Sequence, residues 1–293
     1  GKIFDETGTL ALRTLASGMM SGITSPARPW FRLTLPDQDL AEFGPVKDWL
    51  WAVETKMRAI FAASNVYNAL HGGYEELGLF GTAPNLVLED PRDVIRLYPL
   101  TAGEYCLANS DRLEVDTVYR EFSMTVSQVV ERFGLDKATD QTKNLFDQGN
   151  YDKWVKVCHA IEPNKLRVLG QADSRNMPVS SCWWEKGGDD DKWLRQSGFE
   201  DFPAICPRWH LTGSDAYGRS PAMDAGPGGK QLQMQQLRKA QAIEKMVNPP
   251  MVAPSSLQNR HASTIPGGIT YDDTTGPNTG FRPAYQIQPQ VEH

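Results

Sequence analysis

Apolar positions along the chain alternate between helical and strand spacing, and the alternation divides it into blocks. Leu12, Leu15 and Met19 recur at helical intervals, so a first helix is expected from Asp5 to about Met20. Ser25-Pro26 and Arg28-Pro29 then stop it, because a residue preceding proline disfavours helix. Trp30 to Leu35 alternates like a strand. A second helix starts at Pro45, with Val46, Trp49, Leu50, Val53, Met57, Ile60 and Phe61 on one stripe and Trp51 off it. Its pattern continues to Leu70, where Gly72-Gly73 is expected to interrupt it.

From Asn85 the period changes to strands. Leu86–Leu88 and Val94–Tyr98 form two, and Glu104–Leu107 with Leu113–Met124 form a hairpin around Asn109-Ser110-Asp111. Thr125 followed by Gln128 is a capping box, and Gly134 a C-cap. A short helix is expected over Lys137–Asp147, and strands over Trp154–Ile161, Lys165–Leu169 and Val179–Glu185, with Asp189-Asp190-Asp191 in a polar turn. Near Ser220 the composition shifts. Lys230–Val247 holds almost only good helix formers but a loose apolar stripe, the mark of a helix that lines solvent or packs on copies of itself. Asn248-Pro249-Pro250 ends it, and the Pro/Gly-rich remainder holds at most short strands such as Ile269–Tyr271 and needs a partner surface.

The length of 293 residues suggests roughly two domains at ~150 residues each. With 36 acidic and 30 basic residues the formal charge is −6, which excludes a basic nucleic-acid reader at whole-chain level. No apolar run is long enough to span a membrane, and the first residues lack a basic region followed by an apolar one, so neither a membrane nor a signal peptide is expected. The charge is uneven: Lys230, Arg238, Lys239 and Lys245 stand against Glu244 alone, a net +3 on one helix. The tryptophans Trp30, Trp49, Trp51, Trp183, Trp184, Trp193 and Trp209 read most simply as core, with Trp51 and one of Trp183 and Trp184 as candidates for contact between subunits.

Candidate chemistry is sparse. Cys106, Cys158, Cys182 and Cys206 lack a Cys-x-x-Cys pair and are expected to be reduced and mostly buried. Cys158-His159 would fall on opposite faces of a strand. Gly226-Pro227-Gly228-Gly229-Lys230 lacks the spacing and the Ser/Thr of a phosphate loop. No catalytic residue, metal site or cofactor is expected.

Several stretches in order resemble the bacteriophage head-to-tail connecting (portal) proteins of short-tailed phages. They are Leu15–Met19 with Thr24–Leu33, Leu77–Thr82, Asp116–Phe122, Pro207–Trp209, Tyr217–Asp224 and Val247–Met251. Gly226–Gly229 departs from the family, where helix-compatible residues are usual. The resemblance implies an α+β fold: a wing of long helices and antiparallel strands over 1–220, a stem helix over 221–248 and an incomplete, β-containing clip over 249–293. It also implies chain missing at both ends, with a second stem helix and crown beyond His293. The implied function is a non-enzymatic ring, usually of twelve subunits, at one capsid vertex of the virion, assembled in the host cytoplasm. Double-stranded DNA would pass through it without sequence specificity. The implied partners are further copies of the chain, capsid and scaffold proteins, the terminase large subunit and then tail adaptors. Lys230, Arg238, Lys239 and Lys245 become candidates for the DNA channel, and Arg260, Tyr271, Phe281 and Arg282 for terminase or adaptor contact. Two other classes stay open: a sequence-independent DNA-binding module on the four cations, and a hydrolase built on Cys158 or His159.

Overall fold

The computed structural model describes residues 3–168, 170–171, 173–188, 192–249, 251–252 and 282–283. Two compact units are formed, Thr9–Ala225 and, separately, Gly1–Gly8 with Gly226–His293. Helices α1 (Thr7–Gly22), α2 (Gln38–Glu42), α3 (Gly44–Ala63) and α4 (Val66–Phe80) come first. Strands β1 (Asn85–Asp90), β2 (Val94–Pro99), β3 (Tyr105–Asn109) and β4 (Val115–Thr125) follow, then helices α5 (Val126–Phe133) and α6 (Asp140–Asp147). The order closes with β5 (Trp154–Pro163), β6 (Val179–Glu185), β7 (Arg195–Phe199), β8 (Ala204–Ile205), helix α7 (Pro221–Val247), β9 (Met251–Val252) and β10 (Arg282–Pro283). All strand pairs are antiparallel, in sheets β2-β1-β8, β3-β4-β5-β6-β7 and β10-β9. The mixed α+β class implied by the resemblance is the one observed.

The first helices depart from expectation at two places. Trp30–Leu35 joins no sheet. Trp30 and Phe31, although adjacent, both reach Phe61, and Trp30 Nε1 donates to Tyr67 Oη at 3.2 Å. Neighbours that share one packing surface cannot keep the alternation of a strand. The second helix ends at Ala63, not near Leu70. Asn65 stops it by binding the β2 backbone: its Nδ2 donates to Leu97 O at 2.7 Å and its Oδ1 accepts from Leu97 N at 2.9 Å. Gly72-Gly73 lies inside α4 instead of ending it. A Cβ on Gly73 would stand 3.3 Å from Asn85 Nδ2, so this glycine serves the close approach of helix to strand.

The hairpin, the β5 and β6 strands and the Thr125 capping box are present as read. Gln128 N donates to Thr125 Oγ1 at 3.3 Å, and Gln128 Oε1 accepts from Thr125 N at 3.0 Å. The expected helix over Lys137–Asp147 is a single 3-10 turn at Leu135–Lys137 followed by α6, which Thr139 caps. Residues 165–168 form no strand, and Leu166 is 90% exposed. Asn176 takes the place of a strand partner, accepting from Val168 N and donating to the carbonyls of Val168 and Gln171. Leu169 and the Asp189–Asp191 turn lie outside the described residues.

Both large apolar clusters of the five-stranded sheet lie on one of its faces. On it, Tyr105, Leu107, Val118 and Ile161 join Leu86 and Leu100 in one apolar cluster. Met124, Val157 and Trp183 join Val129, Phe133 and Leu194 in another. His159 lies between them, 2% exposed, stacked on Trp183 at 3.7 Å and hydrogen-bonded through Nε2 to Ser181 Oγ at 2.9 Å. Burial, and then the guanidiniums of Arg120, Arg132 and Arg195, push its pKa down to about 2. Glu185, also buried, anchors α6 by accepting from Thr139 N at 3.0 Å, Thr139 Oγ1 at 2.7 Å and Thr142 Oγ1 at 2.5 Å.

His159 is neutral when folded and binds a proton in the unfolded chain below its ordinary value of 6.5. The unfolded state then holds more protons, so stability falls as pH drops from that value towards the folded one, by up to ~1.4 kcal/mol per pH unit. His159→Gln keeps a hydrogen-bonding group there and removes this dependence. Urea unfolding of parent and variant at about pH 7 and about pH 5 should show a loss on acidification that is smaller in the variant by about 1–2 kcal/mol. Equal losses would overturn the assignment.

Candidate functional site

Helix α7 carries the cationic candidates. Ser220 caps it, accepting from Met223 N at 3.0 Å, and Pro221 fills the first turn. The helix then runs without interruption through Gly226-Pro227-Gly228-Gly229, the stretch that departs from the family pattern. It is about 40 Å long at 1.5 Å per residue, and none of its residues is buried. Lys230, Arg238, Lys239 and Lys245 are all exposed. At about 100° per residue, Lys230, Lys245 and Arg238 fall within an arc of about 80°, while Lys239 points to the opposite side. The structure thus brings three of the four together. Gln233 lies off that arc and binds the N-terminal segment: its Oε1 accepts from Phe4 N at 2.7 Å and Asp5 N at 3.1 Å, and its Nε2 donates to Asp5 O at 2.5 Å. No periodicity in the sequence pointed to that contact.

The contact candidates separate clearly. Trp51 is 65% exposed on α3, and Trp49, expected in the apolar stripe, is 62% exposed. Trp183 is 4% exposed and fully engaged, edge-on to Phe122 at 6.0 Å and tilted against Phe133 at 5.4 Å. Its neighbour Trp184 is half-buried on the open face of the sheet against Trp193 at 5.7 Å, so of this pair Trp184 has surface to offer. Trp193 and Trp209 are also exposed, which corrects the expectation that the tryptophans are core. Arg260, Tyr271 and Phe281 lie outside the described residues. Arg282 is described by its backbone alone, in β10 paired with Val252.

The hydrolase candidates do not meet. His159 faces the covered side of the sheet, and Cys158 the open side, where burial raises its thiol pKa. All four cysteines are free. Cys106 is exposed and the other three are half-buried, not the mostly buried set expected. Among the described residues no group of three or more His, Cys, Asp or Glu side chains could hold a metal ion, and no helix is long and apolar enough to cross a membrane.

Three of the separated sequence stretches converge at one place. Gly81 follows α4 with φ 77°, its carbonyl accepting from Trp209 N at 2.9 Å. Thr82 Oγ1 accepts from Gly218 N at 2.8 Å, and Ser220 Oγ donates to Leu79 O at 2.7 Å. A Cβ on Gly81 would meet Gly218 O at 2.3 Å, and one on Gly218 would meet Gly81 O at 2.2 Å. Leu77–Thr82, Pro207–Trp209 and Tyr217–Ser220 thus form one backbone crossing that only glycines permit, just ahead of α7. Either Gly81→Ala or Gly218→Ala should lower stability by at least ~2 kcal/mol in urea unfolding. A loss within ~0.5 kcal/mol would show that the crossing relaxes.

A family model described as bacteriophage head to tail connecting protein matches residues 1–293. The chain is 51% identical over 291 residues to the portal protein of Salmonella phage epsilon15, covering 99% of this chain and 52% of that protein. It is 50% identical over 291 residues to the probable portal protein of Bordetella phage BPP-1, again covering 99% of this chain and 52% of the relative. The chain therefore spans about half the length of the curated relatives it matches. With the crossing of motifs and the match over its whole length, this chain belongs to the bacteriophage head to tail connecting protein family.

Proposed function

We propose that the chain is part of a portal subunit, a structural and non-enzymatic protein. Copies of the subunit form a ring, of twelve subunits by the family resemblance, at one vertex of the capsid. Double-stranded DNA passes through the ring during packaging and ejection. Capsid and scaffold proteins surround it, the terminase large subunit docks first, and tail adaptors replace it. The subunit belongs to the virion and assembles in the host cytoplasm. Residues 1–220 act as the wing, 221–248 as the stem helix and 249–293 as the clip.

The observation that carries this reading, beyond family membership, is α7. A helix of 27 residues with none buried has no core of its own. In a ring its flanks pack on copies of itself while its cationic arc faces the lumen. Exposed Trp51 and the half-buried Trp184 supply aromatic surface for subunit contact.

A second reading, a sequence-independent DNA-binding module, has the arc of Lys230, Arg238 and Lys245 in its favour. The intact protein separates the two. Native mass spectrometry and negative-stain images at micromolar concentration should show rings of about a dozen subunits with a central channel. A strictly monomeric intact protein would overturn the portal reading. Reversing the charges of Lys230, Arg238, Lys239 and Lys245 together should leave the ring intact and change packaging efficiency. Loss of duplex binding by a non-ring species would instead favour the binding module.

A further inference from the structure

One row of cross-strand partners crosses the entire five-stranded sheet: Tyr105, Arg120, His159, Trp183 and Arg195. Members of such a row stand on one face about 5 Å from their neighbours. Here that face is the covered one, and the row places two arginines around a buried histidine–tryptophan stack. Helix α5 adds a third. Arg132 lies over the Trp183 ring at 4.5 Å, and Arg120 lies 5.2 Å from the same ring and 4.4 Å from Phe122.

Ring contacts satisfy the flat faces of these guanidiniums but not their N–H groups. Among the described residues, none of the three forms an ion pair with a carboxylate. Two buried polar atoms in the row, Arg120 Nε and His159 Nδ1, have no hydrogen-bond partner among the described residues. The electrostatic neighbours that depress the His159 pKa are all cations. Like charges gathered in a partly desolvated place repel, and the Glu104 carboxylate, which favours the charged form of Arg120, does so without pairing with it.

A cavity of about 820 Å³ opens on this cluster, lined by Arg132, His159, Ser181, Arg195 and Ser197. Glu89, Glu200 and Asp201 also line it, and none reaches a guanidinium as an ion pair. We propose that the cavity binds a tetrahedral oxyanion of the phosphate type, held by Arg132 and Arg195 and by the Nδ1–H of neutral His159. The Ser181 hydroxyl, 2.9 Å from Nε2, is able to donate to it, which is the arrangement that places the imidazole proton on Nδ1 for the anion. A neutral donor at the base of the site adds a hydrogen bond without adding to the cationic repulsion. Two guanidiniums give the forked donors that phosphate oxygens match. Free inorganic phosphate and the phosphate of a mononucleotide present the same oxygens, and the cavity has room for either.

Calorimetric titration of the full chain with inorganic phosphate tests the site. Saturable binding of one phosphate per chain, with Kd at or below ~1 mM, is expected. The double variant Arg132→Gln, Arg195→Gln should weaken it at least ~10-fold, the scale of losing charge-assisted hydrogen bonds. The control Arg13→Gln, Arg92→Gln removes the same charge elsewhere and should leave the affinity unchanged. Circular dichroism verifies that each variant is folded; if the double variant is not, Arg195→Gln alone on the edge strand β7 carries the test with a smaller loss. Competition by adenosine monophosphate would identify a nucleotide phosphate as an admissible source, and its failure to compete would restrict the site to the free ion. Absence of saturable heat up to ~10 mM phosphate, or equal weakening by the control, would overturn the proposal.

Discussion

The pairing of β4 with β5 is the constraint on which the rest of the larger unit depends. Eight successive residue pairs, from Val118↔Ile161 to Thr125↔Trp154, fix a register in which a slip of one residue would exchange the two faces. In the observed register Val118, Ile161, Met124 and Val157 face inward, while Tyr119, Glu121 and Cys158 face the open side. The same ladder sets His159 opposite Arg120, and the adjoining β5–β6 ladder sets it opposite Trp183. The last residue of β4 is the cap of α5, so the strand's register also decides where α5, and with it Arg132, meets Trp183. This register thus organises two apolar clusters and the cationic row between them.

Regular elements were legible in the sequence wherever a single backbone period ran unopposed. β6 alternates cleanly, β5 is an unbroken run of strand-forming residues, and the capping box at Thr125 is a local signal that depends on no distant residue. Two of the failures share one physical cause, an asparagine side chain that binds backbone groups in place of a regular partner. Asn65 binds both polar groups of Leu97 and so breaks a helix whose apolar stripe continues past it. Asn176 does the same for residues 165–168 and removes a strand. Trp30 and Phe31 alternate correctly in sequence yet pack on one surface. In each case the decisive partner is far along the chain or lacks any periodicity of its own.

The site divides along the same line. The cations of α7 were visible because composition alone marks them, and helical geometry then selects Lys230, Arg238 and Lys245 as one group. The cationic row was not visible. Arg120, Arg132 and Arg195 are unremarkable singly, and only strand register brings them together. The glycine crossing lies between these cases. Its three stretches could be quoted from the sequence as a resemblance, but the reason they contain Gly81 and Gly218 is a backbone approach that no residue with a Cβ allows.

The energetics of α7 show why a single chain is an incomplete description. Three glycines and a proline within its first half cost about 6 kcal/mol relative to alanine in an isolated helix. Ser220 and Pro221 return about 1 kcal/mol at the cap, and the remaining Gln, Lys, Leu and Ala residues are close to neutral. Burial is the usual source of compensation for a helix, and α7 buries no residue. The balance closes only if its half-exposed and exposed positions, among them Leu237, Met234, Ile243 and Met246, lose water to neighbours. In the proposed ring every copy would supply that neighbour to the next, and assembly would stabilise the segment that its own fold leaves weak. In the ring proposed above, the order of this helix would be coupled to completion of the assembly.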